Sequence, residues 1–171
     1  MNRRVLAGLC AVAVFVLDQG SKALALKSPG LHAVGGVEVL PFLNLVFVRN
    51  DGVSFGMLGG IVPWWGLVLP AATIVAWLLI WLWRVESRLT AAALGLVIGG
   101  ALGNILDRVR YQAVSDFLDL HFGPHHWPSF NLADTAIFFG VVLLLWANLR
   151  ATKYRPKTVG EGDGRDELTE Q

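Results

Sequence analysis

Residues 61–83 form an apolar run without any charged side chain, and this run limits the possible folds more than any other feature. A helix of this length, with a rise of about 1.5 Å per residue, crosses the roughly 30 Å hydrocarbon core of a bilayer. Similar runs cover residues 5–26, 89–108 and 132–149. Each is predicted to be helical, because lipid offers no hydrogen-bond partner to backbone N–H and C=O groups. The sequence therefore predicts an all-α integral membrane protein with four transmembrane helices.

The composition agrees with this class. Hydrophobic residues make up 54% and charged residues 16% of the chain, whereas typical soluble domains carry about 25% charged residues. The net charge of +1 gives no basic surface for nucleic acid, so we expect no such partner. The single cysteine, Cys10, excludes an internal disulfide and a cysteine metal cluster.

The first apolar run has a second interpretation, as a cleaved signal peptide. Arg3 and Arg4 would form its basic start, and Ala23-Leu24-Ala25 fits the small-residue pattern of a cleavage site. Asp18 and Lys22 lie late in the run, however, and three further spans follow. These features favour a retained transmembrane helix.

The basic residues predict the direction of the spans. They precede the first span, occupy the turn between the second and third, and follow the fourth: Arg3, Arg4, Arg84, Arg88, Arg150, Lys153, Arg155 and Lys157. With four spans these groups share one side, which the positive-inside rule makes the cytoplasm for both termini. The connections at residues 27–60 and 109–131 then face outward. Residues 1–157 are predicted to form one domain, followed by a disordered cytoplasmic tail at residues 158–171.

The sequence of the first outward connection is typical of β-strands. Residues 36–48 are rich in Val, Phe and Leu, with partial alternation, and Pro41 interrupts them. Residues 49–52 then read Arg-Asn-Asp-Gly, which is typical of a turn. We predict a small extramembrane sheet of one or two strands within residues 32–60, at the outer membrane surface.

The unusual polar residues lie almost entirely toward the outward face. They are Asp18, Gln19, Lys22, Asn50, Asp51, Asn104, Asp107, Arg108, Asp116, Asp119, Asn131 and Asp134. Polar groups inside a bilayer cost several kcal/mol each, so they need a reason. The cytoplasmic halves of the spans are almost purely apolar. Helix packing alone would not require this one-sided placement, which predicts a functional site.

Spacing within the spans allows simpler readings of some of these residues. Asp18 and Lys22 stand four apart, so they can pair on one helix face as an interfacial ion pair. The glycine row Gly95, Gly99 and Gly103 suits close helix packing. Such packing leaves the polar residues at the end of the third span unexplained.

The start of the fourth span also allows a structural reading. Asn131 and Asp134 can form a capping box, with Asn131 as the N-cap residue. A carboxylate near a helix N-terminus is stabilised as the anion, which also suits an acid–base pair.

Several kinds of chemistry are possible on the outward face. A serine–histidine pair could draw on Ser21, Ser54, Ser115 and Ser129 with His32, His121, His125 and His126, but no nucleophile-elbow motif supports it. The last three histidines could suggest a metal site. Pro124 disfavours the helix that would align them as ligands, however. We therefore interpret them as part of a surface loop. We expect no metal and no cofactor. Two close aspartates sharing one proton can activate water and protonate a leaving amine, but composition does not choose which two.

Five motifs together resemble the bacterial lipoprotein signal peptidases, the signal peptidase II family. They are Asp18-Gln19-x-x-Lys22, Asn50-x-Gly52-x-Ser54-Phe55-Gly56, Gly99-Gly100-x-x-Gly103-Asn104-x-x-Asp107-Arg108, Val114-x-Asp116-Phe117 and Phe130-Asn131-x-Ala133-Asp134. Their order and spacing match the family from residue 18 to residue 134 on a four-span topology.

The resemblance implies an aspartic endopeptidase of the bacterial inner membrane, which cuts a signal peptide just before a diacylglyceryl-modified cysteine. Asp116 and Asp134 resemble the catalytic dyad. Asp107 is the rival for the place of Asp116, but its neighbour Arg108 makes it look more like part of a supporting ion pair. Supporting or substrate-binding residues would be Asp18, Lys22, Asn50, Gly52, Gly100, Asn104, Asp107, Arg108, Asn131 and Ala133.

The resemblance also implies the partners and surroundings of the site. Residues 27–60 resemble the extramembrane β-cradle of the family. Expected partners are diacylglyceryl-prolipoprotein signal peptides, membrane lipid and inhibitory globomycin-type peptides, and we expect a monomer. The active site would lie near the periplasmic face.

Two other function classes stay open at this stage. A small transporter could use Asp18, Asp107 and Asp134 along an ion path, although that path would end halfway across the membrane. A membrane scaffold subunit would explain the glycine row but not the clustered aspartates.

Overall fold

The structure is a computed structural model that describes residues 1–52 and 62–153, the last three by their backbone alone. Some predictions fall elsewhere in the chain. The tail at residues 158–171, the part of the β region at residues 53–60, and Ser54 as a candidate nucleophile lie outside the described residues.

Four long helices form the body of the described structure: α1 (Arg3–Lys27), α2 (Trp64–Leu82), α3 (Arg88–Tyr111) and α4 (Leu132–Lys153). All four are long and apolar enough to cross a membrane, which confirms the predicted all-α membrane class. The third helix continues three residues past the predicted end at residue 108. It ends where Gln112 adopts a left-handed conformation with φ of 59°, and the Gln112 N–H closes the last turn on the carbonyl of Arg108.

Helix α3 lies at the centre of the bundle and owes this position to its glycines. A Cβ atom at Gly95 or Gly99 would overlap the backbone of α1, and one at Gly100 would overlap the backbone of α4 at Ala133. In return, Gly140 of α4 lies directly against α3. The glycine row therefore allows the close helix approach that its spacing predicts.

The two ends of the bundle differ in character. At one end, the start of α1 meets the turn between α2 and α3, where Arg3 Nη1 lies 3.3 Å from the carbonyl oxygen of Val85. The guanidinium of Arg4 lies 4.2 Å from the ring centre of Trp83. Next to this end is the apolar core, formed by Val75, Leu78, Leu94, Val97 and Ile98. The basic residues of two separate segments thus share one end, as the prediction of direction requires.

A four-stranded antiparallel sheet covers the opposite end. Its strands are β1 (Val37–Leu40), β2 (Leu43–Asn50), β3 (Val114–Phe122) and β4 (His125–His126), in that spatial order. Pro41 and Phe42 separate β1 from β2, which confirms the predicted β structure with a break at Pro41 and shows that it consists of two strands.

The interpretation of His121, His125 and His126 as part of a surface loop is wrong, because these residues lie in β3 and β4. His121 lies half-buried in β3, and β4 consists of His125 and His126. The reason is long-range pairing: β2 supplies backbone partners along most of β3, from Asn50 opposite Val114 to Leu43 opposite Leu120, with one register shift between them. Pairing of this kind stabilises a strand whose own sequence alternates poorly.

The middle of β3 also fixes the path of the chain into α4. The backbone N–H groups of Phe117 and Leu118 donate to the carbonyl of Phe130 at 3.0 and 2.9 Å, and the Phe130 N–H returns a bond to Leu118. Phe130 directly precedes the first residues of α4. This bridge therefore holds the middle of β3 beside the start of α4.

Candidate active site

Asp116 and Asp134 belong to different elements, and both form a hydrogen bond with the side chain of Asn131. Asp116 lies in β3, whereas Asp134 lies in the first turn of α4. The Asn131 side-chain N–H donates to Asp116 Oδ1 at 2.6 Å, and Asn131 Oδ1 accepts the backbone N–H of Asp134 at 2.9 Å. The predicted capping contact is thus present, and the same amide also donates to the carboxylate of Asp116.

Helix α3 contributes a second amide between the aspartates. Asn104 Nδ2 donates to Asp134 Oδ1 at 2.8 Å. Asn104 Oδ1 accepts from Lys22 Nζ at 2.9 Å and lies 3.4 Å from Asn131 Nδ2. The two asparagines therefore form a continuous chain of hydrogen bonds from one aspartate to the other.

Strand β2 adds a third amide on the outer side of Asp116. Asn50 Nδ2 donates to Asp116 Oδ2 at 3.0 Å, while Asn50 Oδ1 accepts the backbone N–H of Gly52 at 3.1 Å. The carbonyl of Gly52 accepts from Arg108 Nη2 at 3.0 Å. Arg108 Nε is buried and has no hydrogen-bond partner among residues 1–52 and 62–153, so no described group occupies this N–H of the guanidinium.

Burial controls the ionisation of Asp116, whose side chain is almost entirely enclosed. Burial raises the pKa of Asp116 from its ordinary value of 3.8 to about 6. The hydrogen bond from Asn50 opposes this rise, the negative charge of Asp134 adds to it, and Asn131 and Lys22 oppose it again. Asp116 is therefore poised to exchange a proton near neutral pH.

Behind the asparagines lies a buried cluster of three charges. Lys22 Nζ lies 2.8 Å from Asp18 Oδ2 and 3.4 Å from Asp107 Oδ2, and all three side chains are buried. The predicted pairing of Asp18 with Lys22 is confirmed. Asp107 Oδ2 also accepts the backbone N–H of Ser115 at 2.9 Å. Asp107 therefore joins α3 to the start of β3, whereas Asp116 is the carboxylate linked to Asp134.

Two predicted supporting residues act by their small size. Gly100 lies where α3 passes closest to the carbonyl of Ala133, and Ala133 is fully buried. Neither side chain offers a polar group. Their positions keep α3 and α4 close enough for Asn104 to reach Asp134.

The residue assignment from sequence missed Gln19. Its side-chain nitrogen lies 3.1 Å from Asp18 Oδ2, 3.1 Å from Asp107 Oδ1 and 3.3 Å from the carbonyl of Gly103. It thus contacts both acids of the buried charge cluster. An uncharged amide inside an apolar run was the available signal.

The histidines lie away from the two linked aspartates. His126 Nδ1 lies 2.9 Å from Asp119 Oδ2, and the rings of His121 and His126 stack with their centres 5.1 Å apart. Asp119 and His126 line a cleft of about 500 Å³ on the sheet, which Asp116 and Asp134 do not line. Within residues 1–52 and 62–153, no three His, Cys, Asp or Glu side chains are grouped to hold a metal ion.

The distribution of buried polar groups gives no support to an ion path. In the described part of the chain these groups are Asp18, Lys22, Asn104, Asp107, Ser115, Asp116, Asp119 and Asn131. All of them lie in the sheet or in the half of the bundle next to it. The buried residues of the other half are apolar, so the described side chains form no polar route through the bundle.

Comparison with known proteins identifies the family. A family model described as signal peptidase (SPase) II matches residues 10–150. The chain is 40% identical to the lipoprotein signal peptidase of Methylocella silvestris, with 95% of this chain and 98% of that protein covered. It is 44% identical to the one from Beijerinckia indica, with 85% and 88% covered.

A solved structure agrees in fold. A bacterial membrane enzyme determined by the in meso method at 2.3 Å resolution superposes with a TM-score of 0.77 at 31% identity, over 90% of this chain and 93% of the other. The fold, with its four membrane-spanning helices and small antiparallel sheet, and the sequence similarity support the same assignment. The chain belongs to the signal peptidase II family.

Proposed function

We propose that this chain is an aspartic endopeptidase that cleaves the signal peptide of diacylglyceryl-modified prolipoproteins just before the lipidated cysteine. Asp116 and Asp134 are its catalytic dyad. The observation that carries the proposal is the contact of one buried side chain, Asn131, with both aspartates. Its relatives are named lipoprotein signal peptidases, which supports the choice of substrate.

The chemistry requires one proton on the pair. The ionised carboxylate takes a proton from water, whose oxygen forms a bond to the scissile carbonyl carbon. The protonated carboxyl polarises that carbonyl and then supplies the proton that the leaving nitrogen needs when the C–N bond breaks. The products are a signal peptide with a new carboxylate and a lipoprotein whose lipidated cysteine carries a free amine. A pKa of about 6 for Asp116 suits this exchange.

The other polar residues take supporting roles in this proposal. Asn50, Asn104 and Asn131 hold the two carboxylates by their amide N–H groups. Arg108 lies close to the dyad and has an N–H that no described residue accepts, which suits a carbonyl of the substrate backbone. Asp18, Lys22 and Asp107 fix the ends of the elements that present the dyad.

Substrate access is proposed to occur sideways from the lipid. The outer faces of α2 and α4 are apolar, with Trp77 and Ile80 exposed on α2 and Phe138 and Phe139 on α4. Such faces suit lipid and the acyl chains of a substrate. The dyad lies at the end of the bundle next to the sheet, so an anchored substrate can reach it with its cleavage site near the membrane surface.

The proposed orientation places the basic end in the cytoplasm and the dyad near the periplasmic face of the inner membrane. Its support is the clustering of Arg3 and Arg4 with the α2–α3 turn, at the end opposite the sheet. Globomycin-type peptides are then expected to inhibit from the periplasmic side by occupying the dyad. We expect the monomer to be the active unit.

The proposal is tested by complementation of a bacterial strain depleted of its own signal peptidase II. Cells that produce the wild-type protein should process prolipoprotein, and cells that produce Asp116→Asn or Asp134→Asn should accumulate the precursor. Asp119→Asn is the matched control, because it changes an aspartate of the same strand that pairs with His126 instead. Normal processing by both dyad variants, at equal protein levels, would refute the assignment.

A further inference from the structure

The three asparagines of the site share one feature: each has its carbonyl oxygen occupied by a group that can only donate. Asn50 Oδ1 accepts the backbone N–H of Gly52, and Asn131 Oδ1 accepts that of Asp134. Asn104 Oδ1 accepts from the ammonium of Lys22. An amide can be turned either way within its space, so the partner of its oxygen decides where its N–H groups point.

This constraint directs all three amide N–H groups toward the dyad. Asn50 and Asn131 donate to opposite oxygens of Asp116, and Asn104 donates to Asp134. The reverse orientation of any of these amides would set its oxygen against a carboxylate oxygen. Two acceptors in contact repel, and a buried carboxylate would lose a bond that stabilises its charge.

The three orienting groups differ in kind. For Asn50 and Asn131 the orienting donor is a backbone N–H, which no substitution other than proline removes. For Asn104 it is a side chain from α1, Lys22, whose ammonium lies 2.9 Å from Asn104 Oδ1. Lys22 is 4% exposed, and its other close charged neighbours are Asp18 on α1 and Asp107 on α3. Among the described residues, its hydrogen bonds reach the dyad only through Asn104, while its charge also acts on Asp116 from a greater distance.

We propose that Lys22 is a positioning residue, which orients the Asn104 amide so that its N–H holds Asp134 in the geometry needed for peptide hydrolysis. This inference rests on the proposed function of the dyad. It assigns Lys22 a role in turnover beyond the ion pair with Asp18. Substrate binding does not depend on this role, because Lys22 is buried behind the asparagines.

The test measures kcat and KM of purified full-length protein in lipid bicelles, with a synthetic diacylglyceryl-modified signal peptide and with rates normalised to folded protein. Lys22→Met should lower kcat by at least about tenfold and leave KM within about twofold. Lys22→Arg retains a group that only donates and should recover most of the rate. Lys27→Met is the control, because it removes an exposed lysine of the same helix and should match wild type.

A double-mutant cycle shows whether Lys22 acts through Asn104. In an Asn104→Ala background, Lys22→Met should produce no further fall in kcat, since the amide that it orients is gone. Additive losses would overturn the proposal. So would a Lys22→Met protein with the kcat of wild type, or one in which only KM changes.

A charge-balanced pair covers the case in which Lys22→Met does not fold. Asp18→Asn/Lys22→Met removes one charge of each sign, and its kcat is compared with that of Asp18→Asn alone. A fall of at least about tenfold supports the proposal, and equal values contradict it. A failure of the proposed function would give a different result from a failure of the role of Lys22. In that case wild type would leave the peptide uncut, or the dyad variants would still cut it.

Discussion

The backbone N–H of Ala133 donates to the carboxylate of Asp18 at 3.0 Å, so a side chain of α1 binds the first turn of α4 across 115 positions of sequence. The other oxygen of Asp18 pairs with Lys22. Because the first turn of α4 carries Asp134, this contact links the position of the dyad to the packing of the first and last helices.

Removal of this link should destabilise the protein strongly. Asp18→Ala leaves Lys22 with less compensation for its buried charge and frees the Ala133 N–H, and breaking a buried pair costs about 3–5 kcal/mol. We expect Tm in detergent to fall by about 10 °C. Asp51→Ala, at an exposed aspartate, is the control and should stay within about 0.5 kcal/mol of wild type. Equal Tm values for the two variants would contradict the role of Asp18.

Close approach of α3 and α4 gives a second prediction. A Cβ atom at Gly100 would meet the carbonyl oxygen of Ala133, and backbone cannot move aside as a flexible side chain can. Gly100→Ala should therefore cost about 1–3 kcal/mol and lower kcat, since it pushes Asn104 away from Asp134. Gly8→Ala is the matched control: nothing lies within 4 Å of the added atom, and the better helix propensity of alanine should raise stability by up to about 1 kcal/mol. A stable, fully active Gly100→Ala protein would show that the two helices need not lie so close.

The pKa of Asp116 predicts how stability varies with pH. Because burial raises this pKa from 3.8 to about 6, the folded state binds the proton more tightly than the unfolded chain. The resulting stabilisation is complete below the unfolded value and is lost as the pH rises through the folded value. Between pH 5 and pH 7 the loss is about 1.4 kcal/mol, or roughly 3–5 °C in Tm. In Asp116→Asn, Tm should not show this fall between pH 5 and pH 7. Curves of Tm against pH that run parallel for wild type and Asp116→Asn would contradict the raised pKa.

The same ionisation should govern catalysis on the acid side. Hydrolysis requires one charged carboxylate, and we propose that Asp116 supplies it, so protonation of Asp116 removes the base of the pair. We expect kcat/KM to fall by about tenfold per pH unit below a pH of about 6. The measurement is a pH–rate profile with the synthetic peptide at concentrations well below KM. A rate that stays constant down to pH 4 would mean that Asp116 does not act as the base.

The membrane class could be predicted from sequence because it depends on local properties. An uncharged run such as residues 61–83 has few alternatives to a transmembrane helix, and Pro41 marks the break between two strands by its missing N–H. The one-sided placement of polar residues likewise predicted where the site lies. These signals need no knowledge of distant partners.

Strand β3 could not be predicted in the same way. Its sequence places polar residues on both faces, with Asp116 on one and Ser115, Asp119 and His121 on the other. It becomes a strand because β2 pairs along most of its length. The role of Gln19 was missed for a related reason: its three acceptors belong to two helices that meet only in the folded protein. Likewise, the link between Asp116 and Asp134 depends on how β3 and α4 are joined through Phe130.

The most direct test of the central claim is mass spectrometry of the products formed by purified protein from a diacylglyceryl-modified signal peptide. Wild type and Asp119→Asn should give one cut, just before the lipidated cysteine. Asp116→Asn and Asp134→Asn, folded by the criterion of Tm, should give less than about one thousandth of that product. Cleavage at the wild-type rate by either dyad variant would contradict catalysis by a pair of aspartates at Asp116 and Asp134.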